Sequence, residues 1–352
     1  LKNKALKTLF KSYLQSMYCI FFFLIFSNVT LGQDLHFSQF NRTPLFLNPA
    51  LTGSFEGDIR VMSIFRNQWQ TIPVPYNSIG ASVDYNLPVR YQKDKLGLGI
   101  QAIMDRAGDG RFTTSMFSFS SAYHFTSGSA NPFILSIGGQ ANWVQRSYDP
   151  NRLTFDNQFN GDYFDPTRPI GEQLDRTQLQ FFDFNLGTNA NFTVQQQHVF
   201  NFGFSIAHFH QTQQNFIDIS TNTLLQKRYN FYLSANISII EKLKWLPVGF
   251  YQLQDGKYEY VLGSGIQYVF NNDRTDKLNI TLGLSGRLGD AFIPWLHFEK
   301  KNVSAQLSID FNTSPLRIAS NSYGGIEFSL GYLIKYRKDA FNQYDFCPYI
   351  WF

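Results

Sequence analysis

The chain of 352 residues carries 30 basic and 26 acidic side chains, and its formal charge of +4 matches the four lysines Lys2, Lys4, Lys7 and Lys11, so the chain beyond residue 32 is balanced and offers no basic surface for nucleic acid. Its 2 cysteines are Cys19 and Cys347, which excludes a disulfide framework or a Cys-based zinc site once the first segment is removed. Aromatic residues reach 17%, led by 37 Phe and 19 Tyr, at a mean hydropathy of −0.22, and no run after residue 32 is apolar enough for a transmembrane helix, a combination that favours membrane-crossing strands.

Residues 1–32 read as a cleaved signal peptide: four lysines, an apolar run from Ile20 to Phe26, then Ser27 to Gly32, which leaves Gln33 first. The apolar run is well short of the ~20 residues that span a bilayer. Residues 33–57 have no clear period. Pro44 and Pro49 cannot donate backbone hydrogen bonds, and Phe37, Phe40, Leu45, Phe46 and Leu47 are too apolar for a free tail. The segment, marked by Phe37, Gln39, Pro44, Asn48 and Pro49, is therefore expected to pack inside or under the fold on the periplasmic side, with Asn48-Pro49 as a tight turn.

Fourteen runs with period two come next, near 58–66, 79–87, 96–105, 114–125, 132–145, 182–192, 198–209, 229–239, 245–254, 257–270, 277–289, 291–299, 302–311 and 323–336. The hairpin at 95–125 sets the pattern. Leu96, Leu98, Ile100, Ala102 and Met104 alternate with Gly97, Gly99, Gln101, Ile103 and Asp105, Gly108 and Gly110 turn the chain, and Phe117, Phe119, Tyr123 and Phe125 return opposite Ser118, Ser120 and His124. One face is greasy and the other polar, which suits an apolar outside and a polar lumen. The expected fold is all-β, an outer-membrane β-barrel of about fourteen antiparallel strands of ~9 to 11 residues. A soluble two-sheet protein, with its apolar faces turned inward, is the alternative.

The register assigns Gln101, Asp105, Gln140, Asn142, Asp183, Asn185, Asn189, Asn191 and Arg287 to the lumen, and Phe182, Phe184, Phe200, Phe202, Phe204, Leu282 and Leu284 to lipid. An even strand count puts both barrel ends on the periplasmic side, and the two longest linkers, 147–176 and 211–226, on the exterior. The first carries Tyr148, Leu153, Phe155, Phe159, Tyr163 and Phe164 among aspartates, the usual makings of an interface, and Trp69 and Tyr76 flank another rim loop.

Catalytic and metal signals are weak. His198, His208 and His210 number enough for zinc, but no further ligand stands at a suggestive spacing. Asp105 and Asp109 lack the rest of a calcium loop. Neither a G-x-S-x-G elbow nor a phosphate-binding loop occurs, so no enzyme and no cofactor is expected.

The segments FSQF, PLFLNPALTG and FRNQW, then LGLGIQAIMDRAGDG, QRSYDPNRLTFDNQF, Pro169 to Glu172, IAHFH and GGIEFSLGY, together resemble the PorP/SprF family of type IX secretion over nearly all of the chain after residue 32. The resemblance implies an outer-membrane barrel that works with other type IX secretion and gliding components, and that holds or delivers a secreted adhesin-like cargo through its C-terminal sorting domain. A small-solute channel is the alternative, and a periplasmic tail that docks on another secretion component is the alternative for residues 33–57. The sequence departs from the family after Tyr336, where a C-terminal tail, 337–352, extends beyond the expected last strand.

Overall fold

The computed structural model describes residues 34–70, 76–89, 94–128, 132–171, 176–195, 197–214, 224–271 and 278–336. The expected signal peptide and C-terminal tail, with Cys19 and Cys347, lie outside them. Fourteen strands form one closed antiparallel barrel, each hydrogen-bonded to the next and β1 to β14. They are β1 (Ile59–Gln68), β2 (Tyr76–Pro88), β3 (Lys95–Ala107), β4 (Phe112–Ser127), β5 (Phe133–Ser147), β6 (Gln178–Val194), β7 (His198–Ala207), β8 (Arg228–Ile240), β9 (Leu243–Gln254), β10 (Lys257–Asn271), β11 (Leu278–Arg287), β12 (Ala291–Lys300), β13 (Val303–Asn312) and β14 (Tyr323–Ile334). Closure leaves no unpaired strand edge, which is the condition for crossing lipid with strands.

The two faces separate as the alternation dictates. On β6, Phe182 is 64% exposed and Asp183 1%, and the contrast repeats through Phe184, Leu186, Asn185, Asn189 and Asn191. Gln101, Gln140, Asn142 and Arg287 are likewise turned in, and Phe202, Leu282 and Leu284 out.

Strand length differs from expectation. β4, β5 and β6 run to 16, 15 and 17 residues, because pairing continues past the apolar stretch that marks the bilayer. At those outer ends the outward face turns polar, with the Gln180 amide donating to the Gln145 side-chain oxygen at 3.3 Å. The wall is thus tallest where it carries the connection at 148–177. That end of the barrel also carries 208–227 and 313–322, while the other end has turns such as 241–242 and 301–302, so the first is exterior.

The lumen is occupied by the chain's own N-terminal segment. Pro44 opens the single-turn helix α1 (Pro44–Leu47), a position where its missing N–H costs nothing. The Asn48 side chain then accepts from the Ala50 N–H at 2.8 Å and starts a second tight turn at Pro49–Leu51. Leu45, Ala50 and Leu51 are wholly buried, and Phe40 stacks on Phe250 of β9 at 5.0 Å in a cluster with Leu47, Tyr232 and Val261. A cavity of about 20 Å³ remains between this segment and β8–β9, room for about one water molecule.

The segment passes so close to the wall that three strands must lack side chains there. A Cβ on Gly187 would fall on the Asn48 side-chain oxygen, one on Gly97 on the Thr52 carbonyl, and one on Gly138 on the Pro49 carbonyl. Gly187→Leu is therefore expected to lift Asn48-Pro49 off the wall and open Phe46 to protease in the folded barrel. A digestion pattern identical to that of the unmodified protein would show that this wall does not position the segment.

Candidate functional site: the filled lumen and the exterior mouth

The segment is held at both ends by buried charge. Toward the exterior, Arg66 of β1 pairs with Glu327 of β14 at 3.2 Å and approaches Asp310 of β13 at 3.6 Å, while Arg287 of β11 pairs with Glu259 of β10 at 3.2 Å and with Asp310 at 3.4 Å. The two oxygens of Glu327 accept the N–H groups of Ser38 and Gln39, each at 2.7 Å. Arg287 donates to the Ser38 hydroxyl, which donates onward to Asp310, both at 2.6 Å, and Arg66 donates to the His36 carbonyl. Toward the periplasm, Arg60 and Asp84 form a bidentate pair at 2.9 and 2.7 Å. Asp84 also accepts the Gly53 N–H at 2.7 Å, and Arg60 donates to the Leu51 carbonyl at 3.0 Å.

Between these clamps the polar lumen wall is spent on the segment's backbone. Gln140, Ser205 and Asn230 donate to the carbonyls of Leu45 and Leu47, and His124 reaches the Thr52 carbonyl at 2.8 Å with its other ring nitrogen on Ser136. The Asn48 amide donates to the Thr188 and Phe204 carbonyls at 2.9 and 3.2 Å. Of the two expected placements, inside or under the fold on the periplasmic side, the segment lies inside the barrel. It also reaches beyond the periplasmic side, from the outer half of β13–β14 to the inner ends of β2–β3, where its backbone groups find partners along the height of the wall.

Of the marked residues, Phe37 packs on Ile64 and Ile103 and meets Phe46 edge-on at 5.8 Å, and Gln39 donates to Ser308 and the Glu327 carbonyl at 3.0 Å each. Pro44, Asn48 and Pro49 make the turns already described. Asp183 accepts from Asn142 at 3.1 Å and lies 3.0 Å from the His208 ring, and half-buried Asp105 accepts the Ser78 hydroxyl at 2.6 Å. His198 stands at the inner end of β7 and His208 beyond its outer end, so the three histidines do not converge. Reading the polar face for hydrogen-bonding residues missed Arg60, Arg66, Asp84, Asp310 and Glu327. The available signal was that charge recurs at inward positions of β1, where each Arg demands a counter-ion.

The exterior loop is folded over its described residues 148–171. Phe159 and Phe164 pair as a small antiparallel bridge around a turn in which the Asn160 side chain accepts from the N–H groups of Asp162 and Tyr163 at 2.9 Å. The Gln158 carbonyl accepts the Asp165 N–H at 2.8 Å, and Arg168 donates to the Phe159 carbonyl at 2.9 Å. The Thr167 hydroxyl and N–H, donating to Asp165, hold its carboxyl below the usual carboxylate range. Phe159 and Tyr163 are 54% and 63% exposed and Phe164 is exposed, while Tyr148 and Phe155 are half-buried against the mouth. Trp69 and Tyr76 face each other across the β1–β2 connection at 4.8 Å, apart from that loop.

A closed barrel with an apolar exterior, long loops at one end and no lipid-exposed backbone edge is an outer-membrane β-barrel. The chain belongs to the family of type IX secretion system membrane proteins PorP/SprF, whose model matches residues 29–332. The family is one of membrane components of a secretion system. Solved structures match the chain at low identity and low TM-score. A FadL homologue of Pseudomonas aeruginosa is 8% identical, with a TM-score of 0.45, over 82% of this chain and 93% of its own. The toluene transporter TodX of P. putida is 10% identical, with 0.44, over 84% and 95%. CdiB from Escherichia coli is 10% identical, with 0.43, over 79% and 63%. No curated protein matches the chain.

Proposed function

We propose that this barrel is a closed docking station of the type IX secretion machinery, which holds a secreted cargo at the cell surface through the cargo's C-terminal sorting domain. The observation that supports it most is a folded exterior loop presenting Phe159, Tyr163 and Phe164 to solvent beside a lumen packed with the chain's own residues. A lumen filled in this way suits a scaffold better than a solute channel. Periplasmic turns of two to six residues are too short to grip a folded domain, whereas exposed aromatics set among polar groups are common anchors of interfaces. Trp69 and Tyr76 form a second, smaller aromatic edge on the same rim.

The test is to replace residues 153–166 by a Gly/Ser linker, confirm barrel assembly, and measure cargo retained on cells. If these rings supply anchor contacts of ~2 kcal/mol or more, retention falls at least about thirtyfold in affinity. Undiminished retention would remove the loop from the mechanism and direct attention to Trp69 and Tyr76.

A further inference from the structure

The outward face of β2–β5 holds a pocket of about 390 Å³, within the range of small-molecule sites. Its floor is Ala81 and Ala102, paired across β2 and β3, and its walls are Ile79, Met104, Phe117 and Trp143. These side chains belong to the bilayer-facing set. On β3 that set runs from Leu96 to Met104, and nine residues at about 3.4 Å each, tilted by roughly 40°, rise roughly 23 Å, close to the ~25 Å apolar band of such barrels. The pocket thus lies at the outer edge of the hydrocarbon.

The next outward position on β3 is Arg106, level with Asn77 of β2 and Thr113 of β4. Arg106 is exposed and makes no hydrogen bond or ion pair among the described residues. Arg111, also exposed, stands in the hairpin turn just above it. An apolar recess in the hydrocarbon, with an unpaired guanidinium at headgroup height, matches a lipid that joins acyl chains to a phosphate, since guanidinium binds phosphate in bidentate fashion.

We propose that the β2–β5 face is a binding site for a phosphorylated glycolipid of the outer leaflet, with an acyl chain in the pocket over Ala81 and Ala102 and a headgroup phosphate on Arg106. The site is independent of the cargo loop and of the lumen. It would seat the lipid beneath the tall β4–β6 wall that carries the loop at 148–177.

The experiment uses the full chain, purified in detergent and stripped of lipid, with binding of diphosphorylated lipid A followed by native mass spectrometry. Heat-modifiable migration on gels verifies that each variant is folded. Arg106→Ser should weaken binding about fivefold, the worth of one basic side chain near an anionic lipid surface. Ala102→Phe, which fills the pocket from its floor, should abolish the adduct, while Ala235→Phe on the outward face of β8 should leave it unchanged. Dephosphorylated lipid A should bind as weakly to the unmodified protein as the phosphorylated lipid does to Arg106→Ser. Equal binding by unmodified protein, Arg106→Ser and Ala102→Phe, or indifference to the phosphates, would overturn the proposal. Should Ala102→Phe not assemble, the Arg106→Ser titration decides alone.

Discussion

Glu327→Ala is expected to destabilise the folded barrel by about 3–5 kcal/mol, the range for removing one member of a buried ion pair. Both carboxylate oxygens are committed, one to Arg66 and the Ser38 N–H and the other to the Gln39 N–H. With the carboxylate gone, Arg66 stays buried beside a more distant Asp310, and two backbone donors of the lumen segment lose their acceptor. The measurement is the urea midpoint for loss of heat-modifiable migration in refolded protein. A midpoint equal to that of the unmodified barrel would show that the cluster contributes nothing to holding the fold together.

Phe184→Arg carries the second large effect. The side chain lies on the outward face of β6, paired with Ala141 of β5, in the apolar band. An arginine at mid-depth on that face costs about 2–4 kcal/mol, and assembly yield in vesicles is expected to fall accordingly. The sequence alone suggests that the neighbouring Asn185→Arg would be tolerated as a lumen change. The structure alters that contrast, because Asn185 donates to Gln140 at 2.8 Å and accepts the His208 N–H at 3.2 Å in a packed interior. A tolerated Phe184→Arg would mean that β6 is slipped by one residue.

The barrel was legible because period-two alternation records which side of each strand meets lipid, and the hydrocarbon enforces that separation strictly at Phe182, Phe184 or Leu282. The lumen was less legible. Asn48, Gln140, Ser205 and Asn230 are polar whether they face water or a neighbouring peptide group, and no periodicity distinguishes the two. The path of residues 35–57 rests on single close approaches, at Gly97, Gly138 and Gly187, that alternation does not encode. Loop content fared in between. Aromatic composition marked 148–177 as a surface of interest, but it does not encode the turns at Phe155–Gln158 and Asn160–Tyr163 that leave Phe155 half-buried and Tyr163 exposed.

The lumen segment joins β1 directly, through Asp58, whose N–H bonds to the Ile334 carbonyl at the closing seam. It behaves as a tethered ligand whose effective concentration is set by a short linker, on the order of millimolar or above. Contacts that would be feeble between separate molecules therefore suffice to keep it in place. Losing the exterior clamp at Ser38 and Gln39 leaves the Arg60–Asp84–Gly53 clamp intact, only a few residues from the tether. Release is accordingly graded along the axis. The exterior half is the end that can let go, and the periplasmic half stays bound by its own covalent neighbour.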